Sequence, residues 1–406
     1  MNFDVVIVGG GASGLVAAIT AARRNKSVLL LEHKDKLAKK ILATGNGKCN
    51  FSNTYYDESV YRSDNPSFVL PVINQFTVEK TITFFEELGI YPMDKGGYLY
   101  PNSGQAASIL EVLQLEVNRL GVHIVYEEHV IQVVKKKKAF EIITDKNKYY
   151  GKTTILSTGG KASDKLGSDG SGYALAKSLG HTIVPVVQAL TALKSNLKVF
   201  KAISGVRTNV ELELFTDGTS VASEVGELQL TDYGVSGIPV FQISRYATKA
   251  LYEKKKVELM IDFLPQFSFQ EAMSFFEQRA KRNGEKTLEE FMVGILNSKL
   301  NSAFLKEAQF SSTMPVKQLK KQELRALISV MKQFLVPITE GNPFANSQVC
   351  AGGVNTREIH PETMESKLVP GLFFTGELVD VDGTCGGYNL QWAWSSGYVA
   401  GSYCGE

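Results

Sequence analysis

The sequence contains little cysteine: four residues among 406, namely Cys49, Cys350, Cys385 and Cys404, with no CxxC pair. This spacing indicates neither a disulfide framework nor a zinc knuckle and is typical of a protein in a reducing compartment. The five histidines show no HxH or HxxxH spacing, which argues against a metal site. A G-x-S-x-G motif is also absent, so the sequence does not indicate a hydrolase of that type.

The sequence also lacks an excess of charge and long hydrophobic runs. Forty-four Lys and Arg residues oppose 42 Asp and Glu residues, giving a net charge of +2, so a general attraction to nucleic acid or acidic membranes is not predicted. The N-terminal apolar run follows Asp4, has no basic leader and is broken by three glycines. We therefore expect a cytoplasmic protein with no membrane span, and the length predicts two or three domains.

The N-terminal residues show the pattern of a dinucleotide-binding unit. A β-branched run at residues 5–8 leads into Gly9, Gly11 and Gly14, which satisfy G-x-G-x-x-G. Helix-forming residues follow at 15–24, and a second apolar run at 28–31 ends at Glu32. The glycines turn the chain, admit the pyrophosphate and allow close helix packing, while the acidic side chain accepts bonds from ribose hydroxyls and repels a 2′-phosphate. The pattern favours FAD or NAD over NADP; the alternative is a glycine-rich turn with a purely structural role.

The predicted contacts of this unit are Gly9, Gly11, Ala12, Ser13, Gly14 and Glu32. The sequence has no second motif of this kind, because the apolar run that ends in small residues at 155–160 lacks the full pattern. Permanently bound FAD is therefore favoured over a separate nicotinamide domain, and NAD(P)H is expected as a transient electron donor.

Five further blocks resemble the BaiN-like family of FAD-dependent oxidoreductases, also called the YhiN or RdsA type. They lie at residues 39–53, 157–173, 226–237, 351–367 and 371–391, so the resemblance covers essentially the whole chain. Two positions depart from the family pattern. Lys48 stands where most members carry Arg, and Asp232 stands where many carry His. Lys keeps the charge but loses the planar fork of Arg.

The resemblance implies further cofactor-binding residues, all of them in these blocks except Val130. They are Lys40, Thr44, Gly45, Asn46, Gly47, Cys49, Asn50, Val130, Thr158, Gly159, Gly160, Gly376, Glu377, Asp380, Gly387, Tyr388, Asn389 and Leu390. Glu377 or Asp380 is expected to accept bonds from the ribityl hydroxyls. A helix beginning after Gly386 and Gly387 would place its positive end at the flavin N1/C2 carbonyl; the alternative is a plain loop before a core helix.

Cys49 is a candidate catalytic residue because a thiol beside a flavin can act as an acid or form an adduct. Lys48 or a helix end is expected to lower its pKa. The alternative is that Cys49 is an inert, buried packing residue.

The domain organisation follows from a change in pattern near residue 189. Residues 1–188 and 341–406 are predicted to form a discontinuous, Rossmann-like α/β FAD-binding domain with a parallel sheet. Residues 189–340 are predicted to form an insert, with alternating strands and a β-barrel at about 189–264 and helices at about 265–340. We expect the substrate to bind in a cleft between the two domains.

The expected function is an FAD-dependent oxidoreductase that reduces an activated C=C bond. Members of the family it resembles are linked to enone reduction in bile-acid-like steroids, dihydrouridine formation in ribosomal RNA and oxidation of small amines. An RNA substrate would need a basic rim, which lysines at 135–138, 254–256, 317, 320 and 321 would supply if they converge. An amine oxidase and a non-catalytic FAD-binding regulator or assembly protein remain as alternatives.

Overall fold

The computed structural model describes residues 2–405 as a succession of α-helices and β-strands. The α-helices are α1 (Ala12–Arg23), α2 (Lys39–Ala43), α3 (Val69–Ile73), α4 (Val78–Glu87), α5 (Ala106–Arg119), α6 (Ser171–Ser178), α7 (Val199–Ile203), α8 (Ile238–Tyr252), α9 (Phe269–Arg282), α10 (Leu288–Met292), α11 (Ser298–Glu307), α12 (Lys321–Lys332) and α13 (Tyr388–Tyr403). Within residues 2–405, none of the helices combines the length and the apolar character that a bilayer crossing requires.

The β-strands are β1 (Asn2–Val8), β2 (Val28–Leu31), β3 (Ser52–Asn53), β4 (Tyr61–Arg62), β5 (Pro92–Lys95), β6 (Tyr98–Pro101), β7 (His123–Val125), β8 (Val130–Lys135), β9 (Phe140–Thr144), β10 (Lys148–Leu156), β11 (Ile183–Ala189), β12 (Leu193–Lys194), β13 (Arg207–Thr216), β14 (Thr219–Thr231), β15 (Gly234–Ser236), β16 (Val257–Asp262), β17 (Phe334–Pro337), β18 (Glu340–Gly341), β19 (Val349–Val354), β20 (Leu372–Phe374) and β21 (Asp382–Gly383).

The chain divides into two compact units. The first contains the residues up to Val187 and those from Phe344 onwards, and the second runs from Gln188 to Pro343. The sequence-based division sets these boundaries at 188/189 and 340/341. The first unit is therefore formed from both ends of the chain, and the second from the segment between them.

The first unit is built on a mostly parallel sheet. Strands β7, β2, β1, β10 and β20 lie side by side in that order and run parallel to one another. The β8–β9 hairpin pairs antiparallel with the first half of β10. Val5, Val6 and Ile7 of β1 are fully buried, because a central parallel strand is covered on both faces. The predicted Rossmann-like α/β fold is confirmed.

Helix α13 packs against α1 and holds two connecting segments in place. The indole Nε1 of Trp392 donates to the carbonyl oxygen of Gly376 at 3.0 Å, and that of Trp394 donates to the carbonyl oxygen of Phe51 at 2.8 Å. Both tryptophans are buried, so these bonds are shielded from water and fix the segments rigidly. The segments concerned, 44–51 and 375–380, contain many of the predicted cofactor contacts.

The second unit contains an antiparallel sheet that closes on itself. Its strand order is β17-β16-β13-β14-β15-β12-β18. The two outermost strands are consecutive in the chain, and between them the amide of Ile338 donates to Val257 and that of Thr339 donates to Lys194, both at 2.9 Å. The segment 334–341 thus pairs with β16 at one end and with β12 at the other, so the sheet forms a barrel.

Helices α9 to α12 lie in the chain between barrel strands β16 and β17 and share a core with the barrel. Phe276, Phe291, Phe304, Leu327 and Met331 are buried in this core together with barrel residues. The helical periodicity predicts a helix that ends at Phe334, but α12 ends at Lys332 and Phe334 begins β17. An apolar run at the junction of a helix and a strand satisfies both patterns, which is why the periodicity extends too far.

His181 in the first unit is buried in a position where its protonation is expected to affect stability. Its ring packs against Phe374 with centroids 4.6 Å apart, and its Nε2 lies 2.8 Å from the Ser366 hydroxyl. The Ser366 oxygen accepts hydrogen bonds from the backbone amides of Leu368 and Val369. The Ser366 hydroxyl is therefore the donor to Nε2 of His181, which accepts as a neutral imidazole. Burial lowers the pKa of His181 from its usual 6.5.

We expect stability to fall as pH drops through about 6.5, because the unfolded chain then binds a proton that the buried ring resists. In thermal unfolding between pH 8 and pH 5, His181→Gln should lose less stability than the wild type, since the glutamine oxygen can accept the same bond without titrating. His360→Gln, at an exposed position, is the matched control. An equal pH dependence in wild type and His181→Gln would show that this histidine does not contribute.

Candidate functional site

The glycine-rich turn after β1 packs so closely that two of its three motif glycines cannot carry a side chain. Gly9 has a φ of +104°, and a Cβ there would lie 2.5 Å from the carbonyl oxygen of Ser157. A Cβ on Gly14 would lie less than 3.0 Å from the carbonyl oxygen of Gly9. At Gly11, by contrast, a Cβ would meet no atom within 4 Å, so this position faces open space.

The open space lies at the N-terminus of α1. Gly11 is the N-cap residue and supplies no side chain to bond the first-turn amides. The amides of Ala12 and Ser13 therefore point outward with the positive end of the helix dipole, an arrangement suited to a phosphate group. The Ser13 hydroxyl accepts a bond from the Thr375 hydroxyl at 3.1 Å, which ties this helix end to the segment that follows β20.

Glu32 lies at the end of β2 beside the same turn. Its Oε2 accepts the amide of Gly10 at 3.0 Å, and its Oε1 accepts the amide of Lys34 at 2.8 Å. The carboxylate is buried, yet an ionised carboxylate offers about four acceptor positions, so positions remain for ribose hydroxyls. The amide of Glu128 donates to the carbonyl oxygen of Glu32 at 3.2 Å, which brings the beginning of β8 at Val130 alongside.

The ends of β10 and β20 complete this edge of the sheet. The Ser157 hydroxyl donates to the carbonyl oxygens of Val8 and Gly9, at 3.0 and 2.8 Å. Thr158, Gly159 and Gly160 continue from it, and a Cβ on Gly160 would lie 2.9 Å from Oε1 of Glu377. Ligands bind outside the carboxyl ends of parallel strands. The structure brings the predicted residues at 9–14, 32, 158–160 and 376–377 together at this edge.

Glu377 is the centre of a polar cluster. Its Oε2 lies 2.6 Å from Nζ of Lys40, and its Oε1 accepts the amide of Cys350 at 2.8 Å. Lys40 also donates to the carbonyl oxygen of Ala162 at 3.2 Å. Asp380, the other predicted ribityl partner, is buried, and its Oδ2 accepts the amide of Asp64 at 2.9 Å.

Sequence reasoning missed two buried residues of this cluster. The hydroxyl of Tyr173 is buried and has no hydrogen-bond partner among residues 2–405. Burial raises the pKa of Tyr173 well above 10, and the charges of Cys350 and Glu377 contribute to the same shift. The amide and thiol of Cys350 contact Glu377 and Lys161. Neither residue type in isolation signals a cofactor contact, and only the folded chain brings them to Glu377.

A second group of predicted residues surrounds the N-terminus of α13. A Cβ on Gly387 would lie 2.6 Å from the carbonyl oxygen of Ser52 and 2.9 Å from Oδ1 of Asn50. This Oδ1 is buried without a hydrogen-bond partner among residues 2–405. The Asn389 side chain bonds the amide and carbonyl of Gly383, at 2.8 and 2.9 Å.

The loop 44–50 is compact and shaped by left-handed backbone conformations. Gly45 and Asn46 have φ values of 54° and 53°. The Thr44 hydroxyl donates to the carbonyl of Ile41 at 2.6 Å, and the Thr44 carbonyl accepts the amide of Cys49 at 3.0 Å. The side chain of Lys48 is exposed. Gly47, Tyr388 and Leu390 complete the predicted set and lie in this loop or at the beginning of α13.

The expectation that Lys48 or a helix end lowers the pKa of Cys49 is wrong. Cys49 has no exposed surface, and burial raises its pKa to about 12. A neutral thiol enclosed in the core is the state expected of a packing residue. Its assignment as a catalytic residue therefore gains no support from the structure.

We expect Cys49→Ala to keep FAD and to turn over at the wild-type rate, because the thiol is neutral and enclosed. The small cavity should lower the free energy of unfolding by about 1 kcal/mol. The ratio of flavin to protein absorbance and steady-state kinetics check this. A variant that keeps its flavin but loses most of its turnover would restore Cys49 as a catalytic candidate.

The residues at both groups fit a bound FAD molecule. The glycine turn leaves room at Gly11 beside free helix amides, and Glu32 retains acceptor capacity. Asn50 offers an unused buried oxygen near the N-terminus of α13. Among residues 2–405, by comparison, no group of three or more His, Cys, Asp or Glu side chains is placed to hold a metal ion.

The sequence matches the family described as HI0933-like protein Rossmann domain over residues 3–403. The chain belongs to this family. Together with the relatives described next, this match confirms the resemblance to BaiN-like flavoproteins and the prediction of a flavoprotein oxidoreductase with a Rossmann-like fold. The individual contact residues remain predictions.

Three relatives match almost the full length of the chain. The 3-dehydro-bile acid delta(4,6)-reductase of Clostridium scindens is 46% identical over 402 residues, covering 98% of each chain. The ribosomal RNA dihydrouridine synthase of Haemophilus influenzae is 32% identical and covers 97% of this chain and 96% of its own. The ribosomal RNA dihydrouridine synthase of Escherichia coli K12 is 30% identical and covers 98% of this chain and 97% of its own.

Proposed function

We propose that this chain is a cytoplasmic, FAD-dependent reductase that saturates a C=C bond conjugated to a carbonyl group in a small molecule, with NAD(P)H as electron donor. The observation that carries this proposal is the 46% identity, over 98% of both chains, with a bile acid delta(4,6)-reductase. The dihydrouridine synthases are less similar, at 32% and 30%. Saturating the 5,6 bond of uracil also adds hydrogen to an electron-poor C=C, so both kinds of relative support one reaction class.

Some of the site residues would bind the cofactor, and others would stabilise charge on it. The turn at 9–14 would hold the pyrophosphate on the amides of α1, and Glu32 would accept the ribose hydroxyls. Glu377 and Asp380 would accept bonds from the ribityl hydroxyls, and Lys40 would hold the Glu377 carboxylate in place through their 2.6 Å ion pair. FAD, when bound, supplies hydride transfer. The free amides at the beginning of α13 would stabilise negative charge at the flavin ring.

Five of the ten lysines that would form an RNA rim pair with carboxylates. Lys136 pairs with Glu141 at 3.0 Å, and Lys256 pairs with Glu258 at 2.8 Å. The remaining pairs are Lys255 with Glu253, Lys317 with Glu285 and Lys321 with Glu277. RNA affinity depends on cations free to replace the counterions of phosphates. These pairs favour a small molecule over RNA.

The test is reduction of a 3-oxo-Δ4,6 bile acid by the purified holoprotein. With NADH or NADPH as donor, we expect bleaching of the flavin, its reoxidation on addition of the bile acid, and a product heavier by two hydrogens in mass spectrometry. Bleaching followed only by peroxide formation in air would instead support the oxidase alternative. If neither the bile acid nor any of a wider set of electron acceptors reoxidises the flavin, the result would support a non-catalytic FAD-binding protein.

Dihydrouridine formation is the second candidate because two synthases match almost the full chain. Its test compares ribosomal RNA from cells with and without the gene by nucleoside mass spectrometry. Loss of dihydrouridine on deletion, restored by the intact gene, would make RNA the substrate. An unchanged level would leave the small-molecule reductase as the function.

A further inference from the structure

A small sheet in the first unit presents tyrosines to solvent. Strands β3, β6 and β5 form this sheet in that order. Lys95 lies opposite Tyr98, and Met93 lies opposite Tyr100, so these four side chains share one face, called here the tyrosine face. Leu99 points the other way and is buried, whereas Tyr98 is 45% exposed.

The tyrosine face touches both segments expected to surround the flavin ring. A Cβ on Gly386 would lie 3.2 Å from Cε1 of Tyr98, and the Asn53 amide donates to the carbonyl of Gly386 at 3.0 Å. At the other end, a Cβ on Gly45 would lie 3.5 Å from Cε1 of Tyr100. The face therefore extends from the beginning of α13 to the loop 44–50.

Two buried tyrosines support Tyr55, a further exposed tyrosine that follows β3 of the same sheet. The Tyr388 hydroxyl donates to the carbonyl of Tyr55, and the Tyr61 hydroxyl donates to the carbonyl of Tyr388, both at 3.1 Å. The rings of Tyr61 and Tyr388 pack edge to face with centroids 5.9 Å apart. Both are buried, while Tyr55 is 63% exposed. Single exposed apolar residues are ordinary, but an ordered aromatic group beside a cofactor site is typical of ligand binding.

The electrostatics of this group suit an uncharged, apolar ligand. Burial raises the pKa of Tyr388 to about 12 and also raises that of Tyr100, so both hydroxyls stay neutral. Lys95 lies with its Nζ 5.8 Å from the Tyr100 ring centroid and contributes a single cation at the rim. Aromatic rings offer a large contact area at a small entropic cost.

We propose that the tyrosine face binds the hydrophobic ring system of the reducible substrate, a small fused-ring enone, and holds its conjugated C=C bond beside the flavin. This inference rests on the proposed function and adds to it the surface that selects the substrate. Tyr98 and Tyr100 would supply the main contacts, since they lie between the two cofactor segments.

The test uses Tyr98→Ala and Tyr100→Ala holoproteins, with Tyr98→Phe and Tyr100→Phe as ring-preserving partners. Tyr150→Ala is the control: Tyr150 is 38% exposed but lies on β10 near its amino end, away from the carboxyl edge of the sheet. We measure binding of a steroid 4-en-3-one to the oxidised holoprotein by equilibrium dialysis, KM and kcat for the 3-oxo-Δ4,6 bile acid, and the flavin-to-protein ratio.

Each alanine variant should keep its flavin and bind the steroid about 10-fold more weakly, with a matching rise in KM. The phenylalanine variants and Tyr150→Ala should stay within about twofold of the wild type. A wild type that binds the steroid but does not reduce it would contradict the proposed function alone, and the binding loss in the alanine variants would still support the tyrosine face.

Three outcomes would overturn the inference. If both alanine variants reduce the bile acid with an unchanged KM, the tyrosine face is not the substrate-binding surface, while the proposed function still holds. Loss of flavin in those variants would make the face a support of the cofactor. A wild type that binds a uridine-containing RNA and no steroid would assign the substrate to a different class.

Discussion

Replacing Gly11 with valine is expected to remove FAD from the protein without unfolding it. A Cβ at this position would meet no atom within 4 Å apart from its chain neighbours, and the backbone is extended, with φ of −78° and ψ of −169°. Valine adopts this conformation without strain. The only group that its methyls would displace is the one lying against the amides of α1. FAD affinity should therefore fall by about 100-fold or more, while the free energy of unfolding of the apoprotein falls by only about 1 kcal/mol, the cost of replacing glycine at a helix N-cap.

Two matched variants separate this effect from a general disturbance. Gly14→Ala should lower both the stability of the apoprotein and its affinity for FAD, since the new Cβ would lie less than 3.0 Å from the carbonyl oxygen of Gly9. Gly284→Ala in the second unit should change neither property, because its nearest neighbour would be the Lys317 Cβ at 3.6 Å. Titration of apoprotein with FAD, followed by flavin fluorescence, gives the affinities. Normal FAD binding by Gly11→Val would show that the cofactor does not approach this turn.

The parts of the fold that the sequence predicts are those with a local cause. The run at 5–8, the glycine motif and Glu32 specify strand, turn, helix and strand within about thirty residues. Each of these elements is determined by its own local sequence and does not depend on the rest of the chain. The apolar runs at 130–134 and 139–143, separated by four lysines, also predict a hairpin from local sequence, and β8 and β9 form it.

The parts that the sequence could not predict depend on distant contacts. The segment 334–341 closes the barrel by pairing with strands from two earlier regions, and its apolar residues fit the preceding helical period equally well. The pKa of Cys49 moves in the opposite direction to that expected from the neighbouring Lys48, because burial outweighs an exposed charge. Neither burial nor the bonds of Glu377 to Lys40 and Cys350 can be derived from spacing.

The contact between α1 and α13 is another long-range feature, and it carries the second large prediction. Gly397 and Gly401 lie on the face of α13 that meets α1. A Cβ on Gly397 would lie less than 3.0 Å from the carbonyl oxygen of Ser13, and one on Gly401 would lie 2.6 Å from that of Ala17. The obstacles are backbone atoms of a buried helix, which cannot move aside as a flexible side chain would.

Gly397→Ala should lower the free energy of unfolding by about 3 kcal/mol, because α13 must shift away from α1 to admit the methyl group. It should also weaken FAD binding, since Ser13 belongs to the turn that holds the pyrophosphate and the shift would disturb the bonds of Trp392 and Trp394. Thermal unfolding of the apoprotein and FAD titration measure the two effects separately. Ala393→Gly, on the same helix, is the control for altered helix propensity, which costs about 1 kcal/mol and adds no clash. If Gly397→Ala binds FAD normally despite its lower stability, helix α13 would not position the cofactor turn, and its role would be confined to the core.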